Sequence, residues 1–95
     1  MIVGLCEFSL GMPWNRSLKE KRKVVRSLCD RLRSRYRIAL AEVADNDVHT
    51  RGVLGFAVVG NDRRQVRSVI DAVMETVNET CPADVVEQEV EVMQW

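Results

Sequence analysis

From Ile2 to Leu10 the residues sort into two parities: Ile2, Gly4, Cys6, Phe8 and Leu10, all apolar or small, on one, and Val3, Leu5, Glu7 and Ser9, of mixed polarity, on the other. A period of two predicts a strand. Gly11-Met12-Pro13-Trp14-Asn15 reads as a loop, because Gly and Pro stop the strand. Ser17-Leu18-Lys19-Glu20 then has the form of a capping box, in which Ser17 accepts from the Glu20 amide and Glu20 reaches back. Behind it Leu18, Val25, Leu28 and Leu32 recur at helical spacing, widened by Val24 and Cys29, and predict a helix over 17–35. A second strand is expected over 37–44, followed by the polar turn Asp45-Asn46-Asp47-Val48-His49-Thr50. Arg51 to Gly60 forms a third strand with Leu54, Phe56 and Val58 on one face. Asn61 or Asp62 caps a second helix striped by Val66, Val69, Ile70, Val73 and Val77. After Cys81-Pro82-Ala83, Asp84 to Gln94 alternates again, with Val86, Val90 and Val92 expected on one face and Glu87, Glu89 and Glu91 on the other.

The order β-α-β-β-α-β defines the ferredoxin-like split arrangement. It is an α+β sandwich in which right-handed crossovers put both helices on one face of a four-stranded antiparallel sheet, with strands one and three central. A chain of 95 residues holds a single such domain, spanning 1–95. Three Cys (Cys6, Cys29, Cys81) form no CxxC and leave one unpaired, which suits a reducing compartment and suggests neither a disulfide framework nor a zinc site. The uncharged runs fall far short of a membrane span, and no basic segment precedes the first apolar residues, so neither a membrane anchor nor a secretory signal is expected.

Charge changes the picture more than composition does. Fourteen Lys and Arg balance fourteen Asp and Glu, for a formal net charge of zero. Residues 1–37 nevertheless carry ten bases against three acids, whereas residues 71–95 carry seven acids and no base. Such polarity permits nucleic-acid contact, head-to-tail association, or an internal match between the two segments on folding.

Three groups of residues could carry function. On the first helix, Lys19, Arg22, Lys23, Arg26 and Arg33 lie opposite Val25, Leu28 and Leu32, with Arg16, Lys21, Arg31, Arg35 and Arg37 on the flanks. A face of nearly one sign costs a helix its i,i+4 pairs and offers a track for phosphates or for an acidic partner. On the sheet, Val3, Leu5, Val53, Gly55, Ala57 and Val59 are expected to expose an apolar patch, simply explained by a sheet-to-sheet homodimer. Arg51-Gly52-Val53-Leu54-Gly55-Phe56 is superficially similar to an RNA-recognition motif, but Phe56 has the wrong parity to stack a base on that face. Glu87, Glu89 and Glu91, with Glu7, form an acidic rim that discourages strand pairing. The turn holding Asp45, Asp47 and His49, followed by Arg51, has residues capable of acid–base chemistry. No nucleophile or oxyanion donor set accompanies them, so no catalytic residue, cofactor or metal is assigned.

Ser17-Leu18-Lys19-Glu20-Lys21-Arg22, Ala41-Glu42-Val43, Leu54-Gly55-Phe56-Ala57-Val58-Val59 and Asn61-Asp62 together resemble the YlxP-like family of small bacterial proteins over nearly the whole chain. The resemblance implies a ferredoxin-like fold and a cytoplasmic setting. It also implies gene neighbours that include ribosome-binding factor A and initiation factor two, and hence RNA or ribosome work. The family brings no catalytic residues. The expected function is that of a non-catalytic accessory protein meeting ribosomal RNA or a ribosomal subunit through Arg16, Lys19, Arg22, Lys23, Arg26 and Arg33. The alternative is a homodimeric protein-interaction module with no nucleic-acid role.

Overall fold

The computed structural model describes residues 1–95. Six elements follow in the expected order: β1 (Ile2–Gly11), α1 (Leu18–Arg35), β2 (Ala39–Ala44), β3 (Arg51–Gly60), α2 (Arg63–Thr80) and β4 (Asp84–Gln94). The strands form one sheet in the order β2-β3-β1-β4, every pairing antiparallel. This is the ferredoxin-like fold. Both helices lie on the face carrying Cys6, Phe8, Leu10, Leu54, Phe56 and Val58, and the opposite face is open.

Side-chain chemistry fixes the helix starts. Ser17 sits in extended backbone and its Oγ accepts from the Glu20 amide at 3.1 Å. The reciprocal arm of the capping box does not form; the Glu20 carboxylate stays in solvent. Asp62, not Asn61, caps α2 by accepting from the Arg64 amide at 2.8 Å.

Leu32 of α1 and Val66, Ile70, Val73 and Val77 of α2 are essentially fully buried against Phe8, Leu10 and Leu54. Phe8 and Phe56 meet edge to face with ring centroids 6.3 Å apart. Gly4 matters here because a Cβ at that position would stand 2.5 Å from Val66 Cγ1 and 2.7 Å from Ile70 Cδ1. Its missing side chain lets α2 lie directly on β1. The Tyr36 hydroxyl joins the helices by hydrogen bonding to the Ala72 carbonyl at 3.1 Å and to Thr76 Oγ1 at 2.7 Å.

Two irregularities shift side chains from their expected faces. The β1–β4 register slips between Ser9 and Leu10, so that Ser9 faces Glu87 and Leu10 faces Val85. A β-bulge of this kind flips the parity of everything beyond it. Val85 therefore packs on the core in place of Val86, and Val86 is 53% exposed; only Val90 and Val92 of the expected trio face inward. The β2–β3 register also shifts between Glu42 and Ala44. Val43 stays on the open face with Ala39 and Ala41, beside Gly55, where a Cβ would stand 3.4 Å from Val43 Cγ1, and the shift brings Ala44 opposite Val53 on that face. No helix is long and apolar enough to cross a membrane.

Candidate functional site

The capped start of α1 and its apolar stripe orient the helix so that Lys19, Arg22, Lys23 and Arg26 all project into solvent, with Arg16 exposed just ahead of the cap. Among these, Arg22 alone approaches an acid, 3.7 Å from Asp47, and both partners are well exposed. Such a pair contributes little. Lys19, Lys23 and Arg26 have no carboxylate within ion-pair distance, so the ridge keeps its charge.

Arg33 departs from this ridge. Its guanidinium donates to the Leu40 carbonyl at 2.6 Å, which places it on the backbone of edge strand β2. Arg31 on the other flank reaches the Thr80 carbonyl at 3.4 Å. Lys21 departs furthest: it is expected on a solvated flank and is instead wholly buried. Its Nζ donates to the carbonyls of Asp45 (2.6 Å) and Asn46 (3.3 Å) and pairs with the Glu42 carboxylate at 3.0 Å. The cause is position on the wheel, since Lys21 precedes Val25, Leu28 and Leu32 by four, seven and eleven residues on one stripe.

Lys21 thereby ties α1 to the β2–β3 turn. Asn15 does the same from the preceding loop, donating to the carbonyls of His49 (2.6 Å) and Ser17 (3.0 Å). Asp45 adopts φ 56°, a left-handed conformation Asp tolerates, and its carboxylate pairs with Arg51 at 3.0 Å. The acids of this turn are thus engaged by arginines, Asp45 by Arg51 and Asp47 by Arg22. His49 is exposed. No three His, Cys, Asp or Glu side chains stand close enough together to hold a metal ion.

On the open face the expected patch is present with one correction. Leu5 and Val59 are exposed and Val3, Gly55 and Ala57 partly so, but Val53 is only 5% exposed and has no surface to offer a second copy. It lies between Ser9 and Ala44 on the neighbouring strands. Arg51, two residues earlier on the same face, crosses that end of the sheet to Ser9 Oγ (3.2 Å) and Glu87 (3.6 Å). Trp14 and Trp95 are 53% and 84% exposed.

None of the ion pairs joins the basic residues 1–37 to the acidic residues 71–95. The two segments are therefore not matched by direct salt bridges. The basic ridge lies on the helix side of the molecule, and Glu87, Glu89 and Glu91 lie with Glu7 on the open side of the sheet. Sequence reasoning also missed a cleft of about 210 Å³ between α1 and the end of α2, bordered by Lys23, Arg31 and Cys81. No periodicity signals it, because it arises from how two helices meet. All three thiols are held above their ordinary range by burial; Cys6 reaches about 11, the positive charge of Arg67 offsetting only part of the effect.

A ferredoxin-like domain with a cationic helix on one side and an acid-flanked sheet on the other is the class of protein this geometry defines. The chain belongs to the family described as "Protein of unknown function (DUF503)", whose model matches residues 3–90. No curated protein matches the sequence. Among solved structures, the chain is similar to "De novo designed protein Ferredog-Diesel", with 14% identity, a TM-score of 0.49, and coverage of 97% of this chain and 84% of that one.

Proposed function

We propose that this protein is a non-catalytic accessory factor of RNA or ribosome metabolism, acting in the bacterial cytoplasm as a YlxP-like member of its family. It contacts RNA phosphate through α1. The observation that carries the reading is the ridge of Lys19, Arg22, Lys23 and Arg26, exposed on one helix face with a single weak acid contact, the 3.7 Å approach of Asp47 to Arg22. Internal needs do not account for it, since the folded chain leaves the charge uncompensated. A helix face presenting side chains three and four residues apart sets their Cβ atoms about 5–6 Å apart, so the four cations form a close-set row suited to the densely charged phosphate backbone.

The test is binding of ribosomal RNA across a salt series. Four phosphate contacts give a slope of log affinity against log salt of about −3 on single strands and nearer −4 on duplex. Reversing Arg22, Lys23 and Arg26 to Glu leaves the core untouched, because all three side chains are exposed. It is expected to flatten the slope to about −1 or less and to remove measurable binding at physiological salt. A folded triple variant with the affinity and slope of the wild type contradicts the reading.

A further inference from the structure

The open face of the sheet holds a shallow, solvent-open depression. A hollow of about 640 Å³ runs across it, floored by Leu5, Ala39, Ala41, Gly55 and Ala57 and walled on the β4 side by Glu89 and Glu91, with Glu7 between. No Lys or Arg lines it. At the end of the face where the chain termini meet, Met1 (54% exposed), Val59 (64%) and Trp95 (84%) add further apolar surface. Contiguous apolar surface edged by charge marks an interaction site.

The carboxylates say what kind of partner fits. Glu7 stands directly across from Glu89, while Glu91 faces Leu5 and Glu87 faces Ser9. Like charges opposite each other on a ladder weaken it, so this placement costs the fold something that nothing inside the chain repays. Arg51 approaches Glu87 at 3.6 Å, whereas Glu7, Glu89 and Glu91 have no cation within ion-pair distance. The acids do not converge as metal ligands. Glu87, Glu89 and Glu91 are spread along β4 at alternate residues, about 6.5–7 Å apart by strand geometry, with Glu7 beside Glu89 on β1, and that spacing suits charges distributed along an extended chain.

We propose that this face binds an extended protein segment in which Lys or Arg alternates with apolar side chains. The basic groups meet Glu7, Glu89 and Glu91, and the apolar ones lie on Leu5, Ala41 and Ala57. A second copy of the same face would bring further carboxylates to this surface, so the apolar patch serves a different chain. The site lies across the sheet from the α1 ridge, and the inference stands or falls independently of the RNA reading.

The experiment titrates the whole protein with a short peptide alternating Lys and Val, and separately with its Glu–Val counterpart, following amide shifts by NMR and Trp95 fluorescence. The Lys–Val peptide is expected to bind, with shifts concentrated at Leu5, Ala41, Gly55, Ala57 and Glu89, and the Glu–Val peptide to bind at least tenfold more weakly. The variant Glu7→Gln, Glu89→Gln, Glu91→Gln removes repulsion within the fold, so it remains folded, and its affinity for the Lys–Val peptide is expected to fall about tenfold. Four results overturn the proposal: no binding, equal binding of both peptides, shifts that map to the helices, or a dimer in sedimentation that perturbs these same amides without peptide.

Discussion

Replacing Lys21 by Met is the sharpest available test of how the α1 motif works. An ammonium has three donors and no acceptor; Lys21 donates to the Asp45 and Asn46 carbonyls at 2.6 and 3.3 Å and forms an ion pair with the Glu42 carboxylate at 3.0 Å, whose buried oxygen has no other partner. Its stem runs over Gly52, where a Cβ would stand 3.6 Å from Lys21 Cε. Met keeps most of the apolar volume, so the cavity penalty is small and the loss is electrostatic. Breaking a buried ion pair from one side costs about 3–5 kcal/mol. The Glu42 side chain is 19% exposed, which lets water reach it and sets the expectation at the lower end, about 3 kcal/mol. Domains of this size are stable by about 5–15 kcal/mol, so urea unfolding followed by circular dichroism should register a large fall. The corresponding drop in Tm is about 12–24 °C. Adding Glu42→Leu removes the stranded carboxylate and should return at least about 1 kcal/mol. A Lys21→Met protein within about 0.5 kcal/mol of wild type, or a double variant no better than the single, refutes the assigned role.

Gly4→Ala is expected to cost about 1–3 kcal/mol in the same unfolding assay, because the new methyl meets Val66 and Ile70 at 2.5 and 2.7 Å and α2 must lift from β1. Ser17→Ala removes the single side-chain cap of α1 and should cost about 1 kcal/mol, with faster hydrogen exchange confined to the first turn of that helix. Burial raises the Cys6 thiol from its ordinary 9.0 to about 11, so between those pH values the folded state holds a proton that the unfolded state has released. Stability is therefore full below about pH 9 and declines as pH rises towards 11, a trend that Cys6→Ala should reduce. At pH 8, alkylation of Cys6 should run about a hundredfold more slowly in the folded protein than in denaturant.

The fold was legible because each element carries its own period. Ile2 to Leu10 alternates, Val66 to Val77 repeats at helical spacing, and Ser17 and Asp62 mark the helix starts. What escaped depended on context. Lys21 bears a charge, and charge by itself suggests solvent, although its register with Val25 and Leu32 put it on the buried stripe. Val53 and Val86 were displaced from expectation by neighbours in space: Arg51 and Ser9 for the first, a bulge against β1 for the second. Arg33 reads from the sequence as part of the phosphate ridge, because the edge carbonyl of Leu40 that claims it lies on another element. The ridge and the acidic row could be read from charge order alone, but their placement on opposite sides of one sheet required the strand order.

Contact between α1 and RNA is tested most directly by co-sedimentation with purified ribosomal subunits. Wild type and the Arg22→Glu, Lys23→Glu, Arg26→Glu variant are compared at physiological salt. Wild type is expected to travel with one subunit in preference to the other, and the variant, still folded by circular dichroism, to stay in the supernatant. Equal pelleting of both proteins, or of neither, contradicts that contact.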